Sequence, residues 1–259
     1  MKPNKLRELL KEGKPTLGIH SVIPWPRMVE MIGHTGVFDY IEYIGEYSTF
    51  TIEQFEDFGR AIDLFPNMSM MIKIEEQTRG FIAQRALDAG IQNALFSDIR
   101  TADDVRECIR FVRPETPEAG GMHGAASRRI NVGSTVVEWV NAMNNAVLAF
   151  MIEKKSAMDN LEEILSIKGV EMVQFGPNDY SINIGKPGQG PAADVQNAQN
   201  EMIKMAIRAG VAPRVEINSP EEAKPFLDMG VRHFCMGWDN QIVTQWCRQQ
   251  GPAMRKLLS

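Results

Sequence analysis

The sequence predicts a single (β/α)8 barrel, and two features carry that prediction. Apolar strand patterns alternate with amphipathic helix patterns along the whole chain, which is typical of a parallel sheet. Eight strand patterns are present, the number that closes a (β/α)8 barrel, and 259 residues is a usual length for one. A doubly wound open sheet is the competing architecture, but no G-x-G-x-x-G segment follows the first strand.

Each predicted strand is a short apolar run bounded by loop residues. The eight runs cover residues 16–20, 38–44, 69–74, 93–97, 146–152, 171–175, 211–217 and 233–238. Several of the intervening helix patterns end at a glycine, as helix C-caps commonly do. The segment 113–145 is too long for a simple connection, so we expect it to carry function or an interface. We expect residues 1–259 to form one barrel domain.

Composition narrows the class of partner. The net charge is −5 and no basic stripe is present, which argues against nucleic acid. No segment has the roughly 18 apolar residues of a membrane span, and the amino-terminal stretch lacks the apolar core of a secretory signal. The three cysteines, Cys108, Cys235 and Cys247, have neither metal-site nor disulfide spacing. We therefore expect a cytoplasmic protein that binds small molecules.

Polar residues end or follow nearly every predicted strand. Barrel enzymes place their chemistry at the carboxyl ends of the strands, so these residues are the first candidates for a site. They are His20, Glu46, Tyr47, Lys73, Glu75, Glu153, Asp179, Glu216 and Asp239. His123 lies in the long segment that follows the fourth strand, and we expect it near the same rim.

Glu153 and Asp179 form the most informative pair. They end neighbouring strands, which lie about 4.8 Å apart in a sheet, so their carboxylates can share a cation. Oxygen ligands and an open site suit Mg²⁺ or Mn²⁺. The alternative is structural: Glu153 pairs with Lys154 or Lys155, and Asp179 caps the next turn.

Residues 151–189 resemble a known family. They read "MIEKKSAMDNLEEILSIKGVEMVQFGPNDYSINIGKPGQ" and are similar to the signature of the HpcH/HpaI aldolases, which include 2-keto-3-deoxy sugar-acid aldolases and macrophomate synthase. The stretches "GVFDYIEY", "QRALDAGIQNALF" and "GGMHGAASR" extend the resemblance over nearly the whole chain.

The resemblance implies a barrel of the phosphoenolpyruvate/pyruvate type and a divalent-metal-dependent class II aldolase. Such an enzyme cleaves or forms a C–C bond of a 4-hydroxy-2-oxo acid through a pyruvate enolate, with an aldehyde as the other product. The family's metal ligands correspond to Glu153 and Asp179. The resemblance also implies a homo-oligomer, a trimer or hexamer, in which the C-terminal helix at about 240–259 is exchanged between subunits.

Four further residues are predicted to bind substrate. Gly176 permits close approach and Pro177 holds the turn that presents Asp179. The backbone N–H groups of this turn, including that of Asn178, are placed to receive the substrate carboxylate. Trp238 puts a bulky ring near the mouth, where it would narrow the acceptor pocket.

The chain departs from the family at two of three positions that matter for proton transfer. Tyr47 stands where the family has a histidine, Lys73 where it has an arginine, and Asp88 matches the aspartate that pairs with the missing histidine. Tyr47 is one candidate for the acid–base group, with Lys73 lowering its pKa. His20 or His123 is the alternative. A Schiff-base role for Lys73 is formally open, but the two metal carboxylates would then have no purpose.

These departures leave other functions open. A related enzyme that uses the enolate differently, such as a decarboxylase or a CoA-ester lyase, is one alternative. A catalytically silent binding member of the family is another.

Overall fold

The computed structural model describes residues 1–259 and contains a closed barrel of eight strands, which confirms the predicted fold class. Every strand pairs in parallel with the next, and the last pairs with the first. The strands are β1 Thr16–Ser21, β2 Tyr40–Ile44, β3 Ser69–Ile74, β4 Asn93–Phe96, β5 Leu148–Ile152, β6 Met172–Phe175, β7 Ala212–Ile217 and β8 His233–Trp238. The predicted boundaries differ most at β2 and β5, where the structure begins each strand two residues later.

Helices connect the strands and surround the barrel. They are α1 Lys5–Lys11, α2 Pro26–Gly33, α3 Glu53–Asp63, α4 Arg79–Ala89, α5 Ala102–Val112, α6 Val136–Asn145, α7 Lys155–Asp159, α8 Leu161–Ser166, α9 Pro177–Asn183, α10 Ala193–Ala209, α11 Lys224–Asp228 and α12 Asp239–Leu258. None of them combines the length and the apolar character needed to cross a membrane.

Two apolar clusters form the core. The larger lies between the sheet and the surrounding helices, and the smaller fills the inside of the barrel. Leu6 of α1 packs into the interior cluster, and its backbone N–H donates to Ser69 Oγ at the start of β3. The amino-terminal end of the barrel is therefore closed by α1, which leaves the carboxyl end for a site.

The barrel interior also holds a charged pair. Arg214 of β7 and Glu42 of β2 are both fully buried and directly paired. Arg214 Nε also donates to Gln174 Oε1 at 2.6 Å. Burial raises the pKa of Glu42, but Arg214, His20 and Lys73 together outweigh burial, so the pKa is lowered. Each charge therefore depends on the other to remain in the core.

Candidate active site

A cavity of about 780 Å³ opens at the carboxyl end of the barrel. Residues that end or follow seven of the eight strands line it, as the sequence predicts for a barrel enzyme. The charged and aromatic ones are Tyr47, Lys73, Glu153, Phe175, Asp179, Glu216 and Trp238. A larger cavity of about 1040 Å³ lies beside α1, at the amino-terminal end and away from these residues.

Glu153 directly follows β5 and is 1% exposed. Its Oε1 accepts a hydrogen bond of 2.8 Å from the backbone N–H of Asp98, whereas Oε2 is buried without a hydrogen-bond partner. Asp98 has a positive φ of 53°, uncommon for a residue other than glycine. Burial raises the pKa of Glu153, although the charge of Lys73 opposes this. The carboxylate therefore has one fixed oxygen and one oxygen free for a ligand.

The structure does not support the alternative in which lysines neutralise Glu153. Lys154 pairs with Asp98, with 2.5 Å between Nζ and Oδ1. Lys155 is held by Asp159 on the outer surface, with Nζ 2.7 Å from Oδ2. Both lysines are thus engaged by other carboxylates.

Asp179 lies in the first turn of α9 and lines the same cavity. Both carboxylates line one cavity, and the charge of Asp179 is among those that raise the pKa of Glu153. The alternative in which it caps the turn fails, because α9 begins after Gly176 without a side-chain cap. A Cβ atom at Gly176 would lie 2.5 Å from Glu153 Oε2. Glycine therefore keeps the space around that free oxygen open.

These residues fit a divalent cation. The free Glu153 oxygen is an unpaired buried acceptor, and Asp179 supplies a second carboxylate in the same cavity. The cavity lining contains no histidine or cysteine. An oxygen-only donor set suits Mg²⁺ or Mn²⁺ better than zinc.

Lys73 and Tyr47 lie together on the wall contributed by β2 and β3. Lys73 Nζ is 2.5 Å from Glu46 Oε2 and 3.3 Å from the Tyr47 hydroxyl. Burial tends to lower the pKa of Lys73, but Glu153 and Glu46 outweigh it and raise the pKa well above its usual value. A permanently charged ammonium is a poor Schiff-base nucleophile, so that role is not supported.

The pKa of the Tyr47 hydroxyl is shifted upwards. Desolvation raises the pKa of Tyr47 to about 12, even though Lys73 acts in the opposite direction. Lys73 thus acts in the expected direction on the pKa of Tyr47, but desolvation outweighs it. Tyr47 keeps its proton at neutral pH and is available as a hydrogen-bond donor.

His20 lies inside the barrel beneath Trp238. The two rings stack with centroids 4.4 Å apart, and His20 Nδ1 is 3.1 Å from the carbonyl oxygen of Gly237. His20 Nε2 is 3.8 Å from Glu42 Oε1 and 3.9 Å from Glu216 Oε2. His20 itself does not line the cavity, whereas Glu216 does. Glu216 therefore lies between His20 and the cavity.

His123 and Asp88 lie away from the cavity. His123 Nε2 is 3.0 Å from Asp88 Oδ2, and Trp139 Nε1 donates to Asp88 Oδ1 at 2.9 Å. Arg128 also pairs with Asp88. The expectation that His123 lies at the rim is wrong, because the chain after α5 folds back against the end of α4. Asp88 thus has three partners, and they anchor the segment 113–145.

A second group of potential metal ligands lies within the barrel. One ligand atom each from His20, Glu42 and Cys235 falls within 4.8 Å of the others. Glu42 is already neutralised by Arg214, however, and all three side chains are buried below the cavity. We therefore place the candidate cation at Glu153 and Asp179.

Sequence reasoning missed Asp98 and the interior pair of Glu42 and Arg214. Asp98 directly follows the fourth predicted strand, so its position was a usable signal. Its role was not readable, because it depends on the backbone N–H and a positive φ. Glu42 and Arg214 lie within strand patterns, where the barrel interior cannot be told from the outer face without knowing the pairing.

Comparison with known proteins gives a consistent picture. The model of the family described as HpcH/HpaI aldolase/citrate lyase matches residues 53–245. A curated relative, 4-hydroxy-2-oxo-heptane-1,7-dioate aldolase of Shigella boydii, is 26% identical over 243 residues, which cover 93% of this chain and 91% of that protein.

Solved structures share the fold. An HpcH/HpaI aldolase/citrate lyase family protein from Burkholderia cenocepacia is 23% identical, with a TM-score of 0.88 over 99% of this chain and 100% of that one. The citrate lyase beta subunit of M. tuberculosis, solved with oxaloacetate and magnesium, is 12% identical, with a TM-score of 0.56 over 88% of this chain and 93% of that one.

Proposed function

Because the chain belongs to the HpcH/HpaI aldolase/citrate lyase family and is thus a carbon–carbon lyase, we propose that it is a divalent-metal-dependent aldolase of 4-hydroxy-2-oxo acids. The reaction breaks or forms the bond between C3 and C4, with pyruvate and an aldehyde on the other side. One observation carries the proposal: the buried Glu153 has one oxygen fixed by Asp98 and the other free, with Asp179 nearby.

Glu153 and Asp179 would hold the cation, which we propose to be Mg²⁺ or Mn²⁺. A divalent cation bound there supplies a Lewis acid that stabilises negative charge on the substrate keto oxygen, worth several kcal/mol. The magnesium in the M. tuberculosis citrate lyase neighbour supports this choice.

The remaining wall binds and orients the substrate. Lys73 keeps its positive charge beside Glu153, so it can donate to a substrate oxygen in the place where the family resemblance puts an arginine. Tyr47 stays protonated and can donate from the same side. Gly176, Pro177 and Asn178 form the turn that opens α9. The backbone N–H of Asn178 is proposed to receive the carboxylate, since Pro177 has no N–H and that of Gly176 donates to the carbonyl oxygen of Ile152.

Proton transfer is assigned to the residues that reach the cavity. Tyr47 lines the cavity directly, and His20 reaches it through Glu216. We assign His123 and Asp88 a structural role, because they are buried together between α4 and the long segment. Trp238 covers His20 and narrows the acceptor side.

Aldol chemistry is favoured over the alternatives. Curated relatives that are 26% identical to this chain are aldolases of a 4-hydroxy-2-oxo diacid, not decarboxylases or CoA-ester lyases. A silent binding member would bind the cation or a ligand without catalysing proton exchange, so the exchange experiment below separates it from an aldolase.

The protein is also proposed to be a cytoplasmic homo-oligomer, a trimer or hexamer, in which α12 packs on a neighbouring subunit. Only one residue of this 20-residue helix is buried. Its exposed apolar side chains include Val243, Trp246 and Leu257, which are 55%, 65% and 81% exposed. Exposed apolar side chains grouped on one helix are typical of a surface that another protein covers.

Exchange of the pyruvate C3 protons in D₂O tests the proposed function without needing the aldehyde. We expect exchange that requires Mg²⁺ or Mn²⁺, stops with EDTA and falls at least about 100-fold in Glu153→Gln. Glu162→Gln changes an exposed carboxylate on α8 and should exchange like the wild type. Exchange that persists in EDTA or in Glu153→Gln would contradict the proposal.

A further inference from the structure

The side of the cavity formed by the ends of β7 and β8, which we call the acceptor side, has an unusual charge pattern. Glu216 at the end of β7 is the carboxylate on this side. Lys73 is the one lysine or arginine among all lining residues; it lies on the wall formed by β2 and β3, where it is paired with Glu46 and proposed to bind the pyruvate part of the substrate. A negatively charged group entering this side therefore meets a negative charge and no available positive one.

Glu216 is held in place. Trp238 Nε1 donates to Glu216 Oε1 at 2.8 Å, and the Trp238 ring stacks on His20. Below it, the unpaired Nε2 of His20, whose side chain is 1% exposed, lies 3.9 Å from Glu216 Oε2. The carboxylate is thus oriented by a hydrogen bond from Trp238 and lies beside the buried His20 ring, while 36% of the Glu216 side chain remains exposed.

The local backbone explains why Trp238 can hold Glu216. The pairing of β1 with β8 shifts register between Gly18 and His20, a bulge that re-aims the side chains at this end of the barrel. Gly237 adopts a φ of 79°, which a glycine tolerates. The carbonyl oxygen of Gly237 lies within hydrogen-bond distance of His20 Nδ1. This contact orients the His20 ring that stacks on Trp238.

The other polar groups on this side are neutral. Asn218, Asn240 and Gln241 line the cavity, and their amide groups make no side-chain hydrogen bond within the chain. An amide offers both donors and an acceptor, which matches the hydroxyl groups of a polyol. A substrate carboxylate that entered this side would lose its hydration beside Glu216 without gaining a cationic partner, which is unfavourable.

We propose that Glu216 makes the enzyme select uncharged, hydroxylated acceptor aldehydes and reject aldehydes that end in a carboxylate. This inference rests on the proposed function and names its substrate class. It also separates this chain from the curated relative of Shigella boydii, whose named substrate is a heptane-1,7-dioate and so carries a carboxylate at both ends. Rejection through a fixed like charge is a recognised route to specificity.

The test compares two 4-hydroxy-2-oxo acids of equal length, one ending in a hydroxymethyl group and one in a carboxylate. The measured quantity is kcat/KM for pyruvate release with Mg²⁺ or Mn²⁺. The wild type should favour the hydroxymethyl substrate by at least about tenfold, and Glu216→Gln should reduce that ratio about tenfold. The glutamine keeps an acceptor for Trp238 Nε1, and Glu162→Gln should keep the wild-type ratio.

Equal or better cleavage of the carboxylate substrate by the wild type overturns the inference, as does a ratio unchanged in Glu216→Gln with a native thermal transition. Pyruvate proton exchange separates this failure from that of the proposed function. If exchange occurs and the carboxylate substrate is preferred, only the selectivity is wrong. If exchange is absent, both proposals fall.

Discussion

Glu153 illustrates how one side chain is prepared for a ligand by its neighbours. The backbone N–H of Asp98 fixes one oxygen, Lys73 supplies nearby positive charge, and Gly176 leaves room at the other oxygen. A buried acceptor without a partner costs about 1–3 kcal/mol. We interpret that cost as offset when a cation binds.

Gly176→Ala tests the space around Glu153. The added Cβ would lie 2.5 Å from Glu153 Oε2 and 2.8 Å from Glu153 Cβ, so the carboxylate must move. We expect Mn²⁺ affinity to fall at least about tenfold, as loss of ligand geometry does in metal sites. Titration calorimetry measures this.

Gly251→Ala is the matched control, because a Cβ there meets nothing within 4 Å. It should bind Mn²⁺ like the wild type. Unchanged affinity in Gly176→Ala would show that the space beside Oε2 is not required for the cation.

We expect the burial of His233 to make the free energy of unfolding depend on pH. Burial lowers its pKa from 6.5 to about 4 in the folded state. The unfolded chain therefore binds the proton more readily between these values, and the free energy of unfolding falls as the pH drops from 6.5 towards 4. The effect is at most about 3 kcal/mol.

Urea unfolding of the wild type and of His233→Gln at pH 7 and pH 4.5 checks this. Other groups titrate over the same range in both proteins, so the difference between the two is the readout. The variant should lose less stability on acidification. Equal losses would mean that His233 is protonated as easily in the folded as in the unfolded chain.

At the scale of elements, the strands were predictable because each is a short apolar run with polar residues beyond its carboxyl end. The placement of Glu153, Asp179, Lys73 and Trp238 at one cavity follows from that pattern alone. The position of His123 did not follow from this pattern, because nothing in the sequence of the segment 113–145 indicates that the segment folds back against α4. Tertiary packing decided its position.

The Arg214–Glu42 pair connects β7 and β2 across the barrel interior, and breaking it should be costly. Arg214→Met leaves Glu42 buried without its cation, so we expect a loss of about 3–5 kcal/mol in the free energy of unfolding. The double variant Arg214→Met, Glu42→Leu removes both charges and should recover much of that loss. Urea denaturation measures both.

A loss below about 1 kcal/mol in the single variant would show that water reaches Glu42 inside the barrel. A double variant no more stable than the single one would show that packing, rather than the unpaired charge, causes the loss.

At the scale of the whole molecule, the proposed assembly depends on α12. A 20-residue helix with one buried residue extends the chain beyond the barrel. We expect a native mass of three or six times 29.1 kDa, and a smaller species for Trp246→Glu, because a charge would enter the proposed interface. Light scattering after size exclusion gives the mass.

Leu64→Glu is the control for that experiment, since Leu64 is 61% exposed at the end of α3 and Trp246 is 65% exposed. It should keep the wild-type mass. A monomeric wild type would contradict the proposed exchange of α12, but it would leave the candidate cation site intact.

The central claim is that Glu153 and Asp179 bind one divalent cation per chain, and Mn²⁺ titration calorimetry tests it most directly. The wild type and Glu162→Gln should bind one Mn²⁺ per chain, and Glu153→Gln and Asp179→Asn should each weaken binding at least about 100-fold. Binding of equal strength in either of these two variants, or no binding to the wild type, would contradict the claim.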